Sequence, residues 1–192
     1  MILYQLSRPA AYLLIKDSSK WKIDWGLPAI FSIIISLTFF LTKSHTSWLK
    51  SGGLIDDLQG FLQILPGFYL TALAAIATFS KRDLDLELPD PTPTILIKFI
   101  RHNRLHKKTI NLTRRRMLCY LFGYLTFLSL TLYLITVFAP TNLIKITSYV
   151  EGYSNHLNGF LKSIFQFFFW QMIIVTIFGL YQLCDKIHQP ES

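Results

Sequence analysis

Lys98, Arg101, Arg104, Lys107, Lys108, Arg114, Arg115 and Arg116 fall within 95–116, a stretch that holds no Asp or Glu. Guanidinium and ammonium groups at this density bind anions, whether lipid phosphates, the carboxylates of an acidic protein or a nucleic-acid backbone. Arg114, Arg115 and Arg116 abut an apolar run, where positive charge fixes membrane topology and attracts anionic lipid at about 1 kcal/mol per residue near the surface. The upstream half of the strip continues further than anchoring requires, which leaves docking of an acidic protein open. Phe99 is the lone aromatic in the stretch, so nucleic-acid contact would be to phosphate and sensitive to salt. Ile95, Leu96, Phe99 and Ile100 form an apolar edge, and a helix here sets His102 and His106 one turn apart. With neither carboxylate nor cysteine beside them, the two histidines do not make a metal site.

Just upstream, residues 83–88 alternate acid with leucine. Alternation with a period of two puts Leu84, Leu86 and Leu88 on one face of an extended chain. Such a short row is unstable alone and is expected to add to a strand in another copy or a partner protein. A disordered acidic linker is the alternative. Pro89, Pro91 and Pro93 then make a stiff extended spacer. The sequence shows no phosphate-cradling glycine loop, paired intramembrane acids or nucleophilic serine motif, so no enzyme and no cofactor are expected.

The elements that carry these segments are set by four runs without any charged residue, at 25–42, 60–79, 117–139 and 164–184. Each is close to the roughly 17–25 residues with which a helix crosses hydrocarbon. Of 19 Lys and Arg, four lie in 1–24, ten in 80–116 and one in 185–192, against four in the segments 43–59 and 140–163. Short loops rich in Lys and Arg stay in the cytoplasm. The expected fold is an all-α integral membrane protein with four transmembrane helices, both termini cytoplasmic and one sizeable cytoplasmic loop at 80–116. A basic lead-in before the first run resembles a secretory signal, yet its length and the absence of a small-residue cleavage site after Lys43 favour an uncleaved helix.

Within the bilayer, apolar collapse supplies little drive and small residues pack instead. Gln63, Gly67, Thr71, Ala74 and Thr78 follow helical spacing along one stripe of the second span. That stripe is expected to face protein, another copy or water, and the amides of Gln63 and Gln166 each need a partner. Either helix packing in a homo-oligomer or a pore would use it. Asp, Glu, Lys, Arg and His are missing from the four runs, which disfavours proton relays and ion-coupled carriers. The segment 140–163 has apolar residues at helical spacing and is expected to lie as an amphipathic helix on the outer surface. Cys119 and Cys184 imply no disulfide framework. Trp21, Trp25, Trp48 and Trp170 mark interfaces.

The layout resembles the membrane subunit of the Kiwa antiphage defence system. The likeness rests on chain size, four spans, the acid-leucine and proline loop, and Leu112-Thr113-Arg114-Arg115-Arg116 running into Cys119-Tyr120-Leu121-Phe122-Gly123-Tyr124. It implies an oligomer in a bacterial inner membrane that responds to phage infection together with a separate cytoplasmic, DNA-binding subunit.

Overall fold

The computed structural model describes residues 8–17, 20–41, 54–78, 82–88, 92–101, 104–149 and 154–186. The chain is mainly helical. A 3-10 turn, Arg8–Leu14, precedes a π-helical turn at Lys22–Gly26, which runs directly into α1 (Leu27–Leu41). The helices α2 (Leu54–Thr78), α3 (Arg114–Tyr149) and α4 (Ser154–Tyr181) follow, with the strands β1 (Thr94–Arg101) and β2 (Arg104–Asn111) between α2 and α3.

Among the described residues, three helical stretches are long and apolar enough to cross a membrane: Asp57–Thr78, Arg114–Phe138 and Gly159–Cys184. Their mean hydropathies are 1.6, 1.9 and 1.8. The first apolar run forms a 15-residue α-helix behind the five-residue π turn.

The long helices assemble around α3, which packs on both α2 and α4, while α1 lies against α4. On α3 the buried positions Leu118, Leu121, Phe122, Leu125, Leu128 and Leu132 cover a broad face. Helix α2 meets it through Leu62, Tyr69 and Ile76, and α4 through Phe165, Met172 and Val175. Spacings of three, four and seven keep each set on one side of its helix. Hydroxyls and amides join the helices where hydrocarbon offers no water: Tyr69 and Thr176 share a 2.6 Å hydrogen bond, and the Tyr124 hydroxyl donates to Gln171 Oε1 at 2.8 Å. Gly179 lets α4 lie close against α3, since a Cβ there would lie 2.8 Å from Leu121 Cδ2.

Two expectations change. An all-α chain is corrected by the β1–β2 hairpin, which pairs Thr94 with Asn111 through to Arg101 with Arg104 in antiparallel register. The β-branched and aromatic residues Ile95, Ile97, Phe99 and Ile100 favour a strand over the expected helix. The outer segment 140–163 also does not form one helix leading into the fourth run, because α3 continues past Pro140 to Tyr149 and only the part from Ser154 leads into that run, as the start of α4. A proline removes one backbone bond but leaves the ladder on either side intact. At 36 residues, α3 is roughly 54 Å long by its rise per residue, well over the roughly 30 Å of hydrocarbon.

Candidate functional site

The basic strip is built on the hairpin. Register puts the position of Lys98 opposite Lys107, and that of Arg101 opposite Arg104. His106 pairs with Phe99 on this register, and His102 lies outside the described residues. His106 therefore stands on a strand and not on the expected helix. Among the described residues no group of three or more His, Cys, Asp or Glu could hold a metal ion.

The hairpin is fastened at its open end to the N-terminal segment and to residues 86–88. Lys16 N–H donates to the Thr94 carbonyl at 3.1 Å, and Thr94 N–H returns the bond to Lys16 at 3.4 Å. Leu88 N–H donates to Leu112 O and Arg114 N–H to Leu86 O, both at 3.1 Å. Asn111 Nδ2 donates to Glu87 Oε2 at 3.0 Å. Ile95 and Leu112 are buried beneath these contacts with Leu84 and Leu88. Thr113 starts α3, its hydroxyl accepting the Arg116 N–H at 3.4 Å.

These bonds correct the reading of the leucine row. Arg82–Asp85 forms a 3-10 turn, and Leu84 and Leu88 enter the chain's own core while Leu86 stays exposed. The turn breaks the period-two alternation, and the short rung that remains, Glu87 with Thr113, lies within the chain. Leu84 and Leu88 are thus spent inside the fold and do not form a free partner strand.

Arg115 is similarly engaged. Its Nε and one terminal nitrogen grip Asp85 at 2.7 and 3.1 Å, and the other nitrogen donates to the Ile76 carbonyl at 2.9 Å and the Ala77 carbonyl at 3.4 Å. It caps the last turn of α2, where orphan carbonyls and the helix dipole favour a cation. The Arg115 hydrogen bond holds the Asp85 carboxyl below the usual carboxylate range. Arg115 therefore braces the fold, whereas Arg116 is exposed at the start of α3 and Lys108 is exposed on β2.

A second group of polar residues, unanticipated from sequence, lies where the N-terminal segment meets the helices. Lys20 Nζ stands 2.9 Å from Asp24 Oδ2, and the Tyr12 hydroxyl donates to Asp24 Oδ1 at 3.0 Å. Lys20 also donates to the Tyr12 carbonyl and sits 3.8 Å from the centre of the Tyr12 ring. Tyr12 stacks on Tyr124 at 5.4 Å, and Gln171 Nε2 donates to the Asp24 carbonyl at 2.8 Å. Asp24 is 2% exposed and Gln171 fully buried, so this node joins the 3-10 turn, the π turn, α3 and α4 in a nearly dry setting. Burial pushes Asp24 up and Lys20 down, and each partner opposes that drift in the other. The available signal was Lys20 and Asp24 at i and i+4 directly before an apolar run, a spacing that brings opposite charges together on a helix. The π turn begins between them, a distortion common at functional positions.

The small-residue stripe faces away from the bundle. Gln63, Gly67, Thr71, Ala74 and Thr78 are all exposed, and a Cβ on Gly67 would meet nothing within 4 Å. Thr71 and Thr78 satisfy their hydroxyls on their own helix, donating to the Gly67 and Ala74 carbonyls at 2.9 Å. Gln166 accepts from Ser36 at 3.5 Å. Cys119 and Cys184 are not joined in a disulfide. Compared with known proteins, the chain matches no family model, no curated protein and no solved structure.

Proposed function

We propose that the chain is a non-enzymatic, four-pass membrane subunit that self-associates and docks an acidic cytoplasmic protein on its hairpin. Both termini and the hairpin face the cytoplasm, a placement supported by the excess of Lys and Arg in 1–24 and 80–116. The first pass is the charge-free run 25–42, whose described helix is α1. As in the Kiwa system that the sequence resembles, the docked protein is a DNA-binding effector, and the assembly is a sensor and scaffold of antiphage defence in a bacterial inner membrane.

The observation that carries this reading is the pairing of basic positions across the hairpin. Lys98 faces Lys107 and Arg101 faces Arg104 in register, and like charges directly opposite each other weaken a sheet. A surface that accepts this cost is suited to an acidic partner that removes it. Topology alone needs charge only beside the helix ends, which Arg114 and Arg116 supply.

Affinity purification in mild detergent tests the assignment, comparing the parent chain with Arg101→Glu, Arg104→Glu, Lys107→Glu and Lys108→Glu combined. The partner should be lost on charge reversal and survive nuclease in the parent. Undiminished recovery and undiminished phage protection by a correctly inserted variant would sink it.

A small oligomeric channel is the second reading, favoured by the exposure of Gln63, Thr71 and Thr78 along one face of α2. The threonine bonds to helix carbonyls count against it, because these hydroxyls are satisfied without pore water.

A further inference from the structure

Two cavities adjoin at Leu13. The first, about 550 Å³, lies beside the polar node and is lined by Lys16, Asp17, Lys20, Asp24, Trp21 and Trp25 among others. The second, about 730 Å³, is an apolar groove running along α3 from Tyr124 to Phe138 and flanked by Phe165 and Phe168 of α4. Ala10 and Leu13 of the N-terminal 3-10 turn line its upper end, and Leu13 borders both spaces.

We propose that these two spaces together bind one zwitterionic phospholipid, with its phosphate and ammonium in the first cavity and one acyl chain in the groove. The inference rests on the membrane placement proposed above.

Dimensions select an alkyl chain for the groove. Tyr124 to Phe138 covers roughly 21 Å of helix, more than one leaflet's half of the roughly 30 Å hydrocarbon core. The groove is apolar along that length, as an acyl chain requires, and Leu13 at its end also lines the charged first cavity, which the apolar face of a helix from a second copy would leave empty.

Charge selects the headgroup. The first cavity is lined by the Lys20–Asp24 ion pair, neutral as a unit, and by Lys16 and Asp17, so a purely anionic ligand gains from Lys16 what it loses to Asp17. A headgroup with one phosphate and one ammonium meets both signs. Trp21 and Trp25, one turn apart and 69% and 42% exposed, both line this cavity, and indole rings attract ammonium. They also stand at the depth where indole rings prefer the headgroup layer.

The test uses the full chain in detergent, given equal amounts of phosphatidylethanolamine and phosphatidylglycerol and examined by native mass spectrometry. The parent should keep one phosphatidylethanolamine per chain. The double variant Lys16→Ala with Trp21→Ala should lose about fivefold or more of it, and Leu134→Trp, which narrows the groove without touching the headgroup cavity, should lose it too. Equal retention of phosphatidylglycerol, or undiminished retention in either variant, overturns the proposal. So does loss of a dimer instead of a lipid on Leu134→Trp, which gives the groove to a second copy. Carbonate extraction of each variant separates the two readings: a chain that leaves the membrane refutes the membrane placement, and one that stays without lipid refutes this site alone.

Discussion

Arg115 holds Asp85 with two parallel hydrogen bonds, at 2.7 and 3.1 Å, while the same guanidinium reaches the final carbonyls of α2. One side chain at the start of α3 thereby ties the end of the preceding span to the loop that follows it. A lysine cannot reproduce this, because an ammonium lacks the planar fork. Arg115→Lys should therefore behave nearly like Arg115→Ala, with several-fold faster hydrogen exchange at Leu88 N–H. Parent-like protection in Arg115→Lys would show that charge alone suffices.

The same pair sets an acid dependence. Because Asp85 has a depressed pKa in the folded chain, its contribution is fully present above the ordinary carboxylate value of about 3.9 and fades as pH falls through the depressed one. Exchange protection at residues 86–88 should weaken over that acidic window relative to Asp85→Asn, which begins weaker and varies less with pH. Parallel pH profiles for the two proteins would exclude Asp85 as the titrating group.

The Lys20 and Asp24 pair should respond differently to single and double changes. Asp24→Leu leaves a buried ammonium against Tyr12 and should cost about 3 kcal/mol, whereas Lys20→Met combined with Asp24→Leu removes both desolvated charges and should recover most of it. Thermal unfolding in one detergent provides the comparison. If the double variant were as unstable as the single one, the Tyr12 hydrogen bond to the Asp24 carboxylate, lost in both, would carry the node instead.

Much of the helical scaffold could be read from the sequence because apolar runs such as 117–139 and 164–184 have one dominant cause, the lack of charge over a membrane-length stretch. The hairpin could not, because Ile95, Phe99 and Ile100 satisfy both an apolar helix edge and a strand, and only pairing with 104–111 decides between them. The role of Arg115 was hidden for another reason: three consecutive arginines look alike in sequence, and the one that turns inward is chosen by where α2 ends. The buried node was missed because Tyr12 and Tyr124, and Asp24 and Gln171, meet across more than a hundred residues in chain order.

Close packing of α3 on α4 depends on Gly179. A Cβ there would lie 2.8 Å from Leu121 Cδ2, and Leu121 is fully buried. Gly179→Ala should be tolerated with a small rotation of that leucine, while Gly179→Leu should overpack the contact at about 1–3 kcal/mol or more. Detergent melting curves that coincide for all three proteins would place the helices further apart than the structure does.

The stripe on α2 separates self-association from conduction. Gly67 is exposed with open space around it, so Gly67→Leu fits within one chain and should raise helix stability slightly, since glycine is a poor helix former by about 1 kcal/mol. Small residues on an exposed membrane face nevertheless let a second backbone approach closely, and a leucine side chain fills that space. Gln63 adds direction, because its exposed amide has no hydrogen bond within the described residues and gains one from a neighbouring copy in hydrocarbon. Gly67→Leu and Gln63→Leu should thus each shift the protein towards monomer in mass photometry without lowering its melting temperature. Thr71→Leu should leave assembly intact, because Thr71 already bonds the Gly67 carbonyl. If Thr71→Leu instead abolished a measurable ion flux in liposomes while the oligomer persisted, the stripe would line water and the channel reading would replace the scaffold.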